Sequence, residues 1–231
     1  MDQFKYLFGI ESASVKKTVI LLPFIPGNAL ELLGVPKLAK GLIFAAASTE
    51  TFTVIKAGMG AGFVGDAVLY LKNTSCENII FFGACGLLHP KDGLDIGSLV
   101  TPVKTWAMES FSNILADRIE EPLCATPHEG LLAAFTQKTG LNLPGVHCVS
   151  FASIHEEARF TNTFQKLGAE IIEMECAAFF LAAQKTHKKA MALLFISDVL
   201  THKPLSRAHA PEDKQRLAEG LATACQAIIK W

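Results

Sequence analysis

Met191-Ala192-Leu193-Leu194-Phe195-Ile196-Ser197-Asp198 is six apolar residues in a row, closed by a hydroxyl and a carboxylate. Nothing polar alternates with the apolar side chains. A strand of this kind is covered on both faces, as in a parallel or mixed sheet between layers of helices. Just upstream, Met174, Ala177, Ala178 and Leu181 fall at i, i+3, i+4 and i+7, the stripe of an amphipathic helix spanning Met174 to Gln184. Strand-like Ala169 to Ile172 leads into it.

The same alternation recurs outward from this stretch. Thr18 to Leu22, Thr51 to Ala57, Asn78 to Phe82, Gly97 to Thr101 and Val146 to Phe151 read as strands. Val64, Ala67, Val68 and Leu71 form one helical stripe; Leu217, Leu221, Ala224 and Ile228 form another. Thr126-Pro127-His128-Glu129 reads as a helix start, with Thr126 capping, Pro127 in the first turn and Glu129 completing a capping box; Gly140 reads as its stop. The polar stretch His202 to Glu212, with two prolines, reads as a loop able to close over a site. Strands alternating with helices predict an α/β fold, a central mixed β-sheet flanked by helices. A length of 231 residues suits one domain, 1–231.

Half of the residues are hydrophobic and 19% are charged, a balance for a buried core rather than disorder. The net charge of −1 carries no cationic surplus for nucleic acid or an anionic membrane. Six cysteines lack C-x-x-C spacing and sit mostly in apolar runs, so they read as reduced, buried thiols of a cytoplasmic protein. Neither they nor the seven histidines show zinc-type spacing, and no metal or cofactor is expected. No signal peptide and no run of about eighteen apolar residues is visible, so no membrane partner is expected.

Gly60-Ala61-Gly62-Phe63-Val64-Gly65 matches G-x-G-x-x-G between a strand and a helix. A dinucleotide fold would use it on the first strand, with an acidic residue about twenty positions on. Here two strands precede or lead into it, and Ile80 to Gly86 contains no acid. An NAD-linked oxidoreductase is therefore the weakest reading. The structural alternative is that small residues let a helix pack closely on a strand.

Asp198 ends a buried strand, where α/β sheets present catalytic groups, and burial would raise its pKa as a general acid requires. It reads equally as a loop aspartate capping the next turn. Glu173 and Glu175 flank Met174 at a helix N-terminus, which the macrodipole alone favours. Two residues apart, they point to different sides, so one could face solvent and the other a pocket.

Ile172-Glu173-Met174-Glu175-Cys176-Ala177-Ala178 resembles the V-E-M-E-x-A-A signature of the nucleoside phosphorylase family. Ile79 to Gly86 resembles that family's I-I-R-x-G-[ST]-x-G strand, and Ala57-Gly58-Met59-Gly60 its S-G-[MI]-G step. Asp95 to Val100 resembles V-G-D-[IL]-V, and Ile196-Ser197-Asp198-Val199 the I-S-D of its purine branch. The matches keep family order across residues 18 to 230. The resemblance implies a three-layer α/β enzyme that cleaves the N-glycosidic bond of a nucleoside, with homo-oligomeric neighbours completing the site. It implies that Asp198, with Ser197, protonates or hydrogen-bonds the purine and that Glu175 binds ribose hydroxyls. Met174 would pack on the sugar, and Cys85 and Gly86 would line base or ribose. Phe151 and Ile154 compete for the place stacked on the base.

The departures concern the nucleophile. Where phosphorylases of this family hold phosphate with an arginine, this chain has Phe81; where they have Ser or Thr, it has Ala84. Their first loop, P-G-D-P-x-R, is here Pro26-Gly27-Asn28-Ala29-Leu30-Glu31. Two lost basic groups and an added acid disfavour a phosphate dianion by several kcal/mol, roughly, in a semi-buried site. A nucleosidase instead uses a glutamate near this loop to activate water, and Glu31 aligns there. It also reads as an exposed residue of a helix starting near Asn28. Glu157-Ala158-Arg159 lies where uridine phosphorylase carries Q-x-R, a pyrimidine alternative that reads equally as a solvated helix face. The leading expectation is hydrolysis of a purine-type nucleoside by water. The rivals are a phosphorylase whose phosphate is held by Arg118, Arg207, Lys104 or a neighbouring subunit, and a nucleoside-binding protein without catalysis.

Overall fold

The computed structural model describes residues 2–117 and 121–231. In chain order the elements are α1 (Gln3–Phe8), β1 (Thr18–Leu22), α2 (Ala29–Leu32), β2 (Ala39–Lys40), β3 (Ala45–Ser48), β4 (Phe52–Lys56), α3 (Ala61–Tyr70) and β5 (Asn78–Leu87). They continue with β6 (Leu99–Met108), α4 (Phe111–Leu115), β7 (Cys124–Ala125), α5 (Glu129–Thr139), β8 (Gly145–Phe151), α6 (Glu157–Leu167), β9 (Ile171–Glu173), α7 (Cys176–Lys185), β10 (Lys189–Val199) and α8 (Pro211–Lys230). The fold is α/β with a mixed sheet and flanking helices, as the alternation predicts.

The sheet closes on part of itself. β5 pairs in parallel with β1 through Asn78 to Phe81 and with β10 along its whole length; at Gly86 and Leu87 it also pairs antiparallel with β9. β10 pairs with β6, β6 with β8 and β8 with β9, so β5, β10, β6, β8 and β9 form a ring. From β5 the sheet runs open through β1, β4, β3 and β2.

Side chains alternate across the sheet, as strand geometry requires. Val19, Leu21, Ile79, Phe81, Ala192 and Leu194 face a core shared with α1, α3 and α7. Ile20, Leu22, Ile80, Phe82, Met191 and Leu193 face one shared with α2, α5 and α8. A third cluster fills the space between β6, β8, α4 and α6. At about 25 cal/mol per Å² of apolar surface removed from water, these continuous apolar strands supply the dominant stabilising term. α8 is locked against the turn before β6: a Cβ added at Gly220 would collide with the Gly97 carbonyl.

Several local expectations change. The helix after Pro127 is capped by His128, whose Nδ1 accepts the N–H of Leu131 at 3.1 Å, and not by Thr126. Gly140 ends it in the left-handed conformation with φ 75°, as read. β5 and β6 run five and seven residues past their predicted ends, Phe82 and Thr101. Pro102 is accommodated because the β6–β8 register shifts between Pro102 and Lys104. Five cysteines are buried, while Cys124 is exposed. Among the described residues no helix is long and apolar enough to cross a membrane.

Candidate active site

A cavity of about 620 Å³ opens where β1, β5 and β10 end. Open parallel sheets place ligands beyond the carboxyl ends of their strands, and this volume falls within the usual range for a small-molecule site. One end is apolar: Pro23, Phe24 and Pro26 from the loop after β1 meet Phe195 and, from α8, Leu217 and Leu221. The other end carries Glu157, Glu173, Glu175, Ser197 and Asp198. Among the described residues no lysine or arginine lines the cavity.

The acid-rich end is built around the start of α7. A helix leaves its first N–H groups without intrahelical partners, and here side chains from three other segments take them. Glu173 Oε2 accepts from the N–H of Glu175 at 2.6 Å and of Cys176 at 2.7 Å. Ser150 Oγ accepts from Ala177 at 2.9 Å, and Glu109 Oε1 from Ala178 at 3.0 Å. Ser150 in turn donates to Glu173 Oε1. Glu173 is thus a buried brace between β8 and α7. Burial raises its pKa against the pull of these donors.

Glu175 reaches back toward α3. Its Oε1 accepts the N–H of Gly60 at 2.6 Å. Burial, and then the charge of Glu173, push its pKa up to about 8. Both glutamates are buried and both line the cavity, so the expected split between solvent and pocket does not occur; Glu173 is in addition the brace at the start of α7. Glu109, which sequence reading passed over, is pushed up to about 7 by burial. Nothing in Met108-Glu109-Ser110 marks it; only the arrival of α7 makes it a partner.

Asp198 sits at a bulge in β10, where the register against β5 shifts between Ile196 and Asp198. The Ser197 hydroxyl lies 2.6 Å from Asp198 Oδ1 and 3.1 Å from the Cys85 carbonyl. One proton cannot fully serve both acceptors. When Asp198 is protonated, its O–H can serve the short contact while the serine proton goes to Cys85. Burial raises the Asp198 pKa, against Ser197 and the charge of His209. Gly86 leaves the carboxyl its room, since a Cβ there would lie 3.1 Å from Asp198 Oδ2.

The cavity gathers most of the expected residues: Cys85, Gly86, Ile154, Met174, Glu175, Ser197 and Asp198 all line it. Phe151 does not. It is fully buried against Phe160 and Phe164, with ring centroids 5.2 and 5.0 Å away, because β8 points it toward α6. Ile154, half-exposed, is the one of the two that lines the cavity. Glu31 does not line the cavity either. Gly27 and Asn28 do, but α2 begins at once with Ala29 turned inward and carries Glu31 to the exposed side.

Of the positions read for phosphate, Ala84 faces the cavity. Phe81 instead packs on Phe179 in the core, centroids 5.3 Å apart. Lys104 sits over the Trp106 ring at 4.8 Å, and neither it nor Arg207 lines the cavity. Arg118 lies outside the described residues. Arg159 turns away to Glu156 and Asp117, each at 2.6 Å, leaving Glu157 alone of that triplet in the cavity. Gly60 gives its N–H to Glu175, and a Cβ at Gly62 or Gly65 would meet nothing within 4 Å, so neither glycine serves close helix packing.

The chain belongs to the phosphorylase superfamily, whose sequence profile matches residues 34–230. It is 31% identical over 165 residues to a DeoD-type purine nucleoside phosphorylase of Mycoplasma genitalium, covering 68% of each chain. Its fold is similar to that of the AMP nucleosidase of Bacteroides thetaiotaomicron, with TM-score 0.72, 18% identity and coverage of 99% and 95% of the two chains. A 5′-methylthioadenosine/S-adenosyl homocysteine nucleosidase of Campylobacter jejuni aligns with TM-score 0.71 at 15% identity over 93% and 97%. The P. knowlesi homologue of a P. falciparum purine nucleoside phosphorylase gives 0.69 at 14% over 100% and 96%. Nucleosidases and phosphorylases thus both occur among the relatives of this fold.

Proposed function

We propose that this chain hydrolyses the N-glycosidic bond of a purine-type nucleoside. The observation that carries the reading is the make-up of the cavity: four carboxyl groups line it, with no lysine or arginine among the described lining residues to hold a phosphate. Breaking the bond gives the ribose oxocarbenium character and the base negative charge. Carboxylates beside the sugar stabilise the first, and a protonated acid at the base stabilises the second. Asp198, its pKa raised by burial, suits the acid. Glu175, anchored by Gly60, suits the ribose hydroxyls, and Met174 the sugar face. Ser197 keeps Asp198 in place. A phosphate dianion would find no cation among the described lining residues to hold it, whereas water requires neither cation nor arginine clamp. Glu31 has no part in this reading.

The likeness to the Mycoplasma phosphorylase favours a second reading, phosphorolysis with phosphate ligands supplied from outside the described residues or from another subunit. Purified protein incubated with adenosine, inosine and uridine, with and without phosphate, separates the two. Free base together with free ribose, at a rate independent of phosphate, is expected. Base release only with phosphate, accompanied by ribose 1-phosphate, overturns hydrolysis.

A further inference from the structure

We infer that Glu157 is a specificity-determining residue, accepting a hydrogen bond from an exocyclic amino group on the base while Asp198 serves the neighbouring ring nitrogen. The inference rests on the proposed reading of this cavity as a nucleoside site. Glu157 opens α6 and lines the cavity together with Asp198, whose charge acts on it. Its neighbour two positions on, Arg159, is held outside by Glu156, Asp117 and the Ile114 carbonyl, so Glu157 has no cation of its own triplet to neutralise it. No hydrogen-bonding partner for its carboxyl is found among the described residues, while Asp198 is held by Ser197.

Two carboxyls that border one cavity and repel each other do not ionise together readily. Burial, and then the charge of Asp198, push Glu157 up to about 7. Glu157 therefore titrates near neutral pH, and a bound base decides where the proton lies: an N–H facing Glu157 favours its carboxylate, and an acceptor nitrogen facing Asp198 favours the protonated acid there. A 6-aminopurine presents the complementary edge: the ring nitrogen N7 accepts and the exocyclic amino group donates. A 6-oxopurine presents two acceptors and leaves the Glu157 carboxylate facing an oxygen. A site built to pair with a substrate N–H rejects the analogue lacking it, because its own buried polar group is left unpaired. The imide of a pyrimidine, which would call for the arginine, finds Arg159 turned away.

Calorimetric titration of adenine and hypoxanthine into the wild-type protein and Glu157→Gln tests the inference without depending on turnover. The wild type is expected to prefer adenine by about tenfold or more. In Glu157→Gln, whose amide can rotate to donate or accept, the ratio is expected to fall to within about threefold. Glu157→Ala, checked for an unchanged melting profile, should lose adenine affinity and leave hypoxanthine nearly unaffected. The same adenine preference in all three proteins overturns the inference, as does a wild type that prefers hypoxanthine or binds neither base. Adenine preference that depends on Glu157, in a protein that releases no base from adenosine, would sink the hydrolase reading and leave this one standing. Phosphate-independent release of adenine with a ratio blind to Glu157 would do the reverse.

Discussion

The backbone N–H of Gly60 donates to Glu175 Oε1 at 2.6 Å, tying together two residues 115 positions apart. Gly60 sits at φ 102°, a conformation open to glycine and strained for other residues. The first glycine of the motif therefore gives its amide to a carboxyl of the candidate site, where a dinucleotide fold would offer such amides to a pyrophosphate. The contact fixes one oxygen of Glu175.

Glu175→Gln should retain the Gly60 contact through its amide oxygen, so the fold should survive. The amide nitrogen would then replace an acceptor proposed for ribose hydroxyls. A fall of about a hundredfold or more in kcat/KM is expected, the usual scale for lost preorganisation. Steady-state kinetics on whichever nucleoside is cleaved, with melting to confirm folding, checks it. Activity within a few-fold of wild type would remove Glu175 from the site.

Asp198→Asn should cost about a hundredfold or more in kcat, since an amide cannot transfer a proton to the departing base. Substrates whose bases leave easily as anions should lose much less, which separates acid catalysis from simple positioning. Gly86→Ala approaches the same carboxyl from behind, because the new Cβ would lie 3.1 Å from Asp198 Oδ2, 3.2 Å from Leu200 and 3.3 Å from Ile172. It should lower kcat by about tenfold with a modest loss of stability. Full activity in Gly86→Ala would mean that the position of Asp198 is not critical.

Stability should fall as pH rises from about 5 to 8. Glu109 and Glu157 are pushed up to about 7 and Glu175 up to about 8, chiefly by burial. An unfolded glutamate ionises near 4.3. Between those limits the folded state binds more protons than the unfolded state, so raising the pH favours unfolding. Asp95 and Glu170, held low by hydrogen bonds and nearby cations, act oppositely and only at more acid pH. About 1 kcal/mol moves Tm of a chain this size by roughly 2–4 °C, and a decline of about 5 °C or more across the window is expected. Melting curves at constant ionic strength check it. In Glu109→Gln the slope should shrink; a flat or rising profile in the wild type would contradict the assignment.

How much of this was legible in the sequence depends on whether the signal was local. The apolar runs of β1 and β10 show their burial directly, and β1 spans the predicted Thr18 to Leu22. β5 was read as ending at Phe82, ahead of Gly83 and Gly86. In the fold both glycines stay in the strand, and each makes room: for the Phe81 ring at Gly83, for Asp198 at Gly86. Those neighbours are fixed by tertiary packing, which no window along the chain contains. Asp198 and Glu175 could be found through their motifs, and Glu157 through its likeness to the Q-x-R of uridine phosphorylase, whereas Glu109 became a neighbour of Glu175 only when α7 packed beside the end of β6. Phe151 and Ile154 differ by three positions, but Phe151 ends β8 packed against α6, whereas Ile154 lies in the turn that follows the strand. Glu31 was placed in the site by counting from Gly27; the other reading, an exposed residue on a helix starting near Asn28, is the one the fold bears out.

Because of that exposure, Glu31→Gln should leave kcat/KM within about twofold of wild type, the behaviour of a surface substitution away from any built feature. A loss of a hundredfold under the same conditions would return Glu31 to the site and imply that α2 rearranges when substrate binds.

The apolar wall of the cavity hangs on a buried aspartate. Asp213, in the first turn of α8, receives Lys203 Nζ at 2.9 Å and lies 3.7 Å from Arg216; Asp95 also reaches Lys203 at 3.5 Å and pairs with Arg216. Lys203 belongs to the segment that carries Leu200 and Leu205 along the cavity, and Arg216 precedes Leu217 in its wall. Asp213 is only 7% exposed in its side chain, while its partners are nearly half exposed. Removing it leaves the cations with water, so the loss should be modest in stability and larger in geometry. Asp213→Ala is expected to cost about 1–3 kcal/mol and roughly 3–10 °C of Tm. KM should rise more than kcat falls, because the wall shifts while Asp198 keeps its contact with Ser197. Asp213→Asn, which can still accept from Lys203, should recover part of both losses. A fall in kcat with KM unchanged would place the effect of this ion cluster on the chemistry rather than on the shape of the cavity.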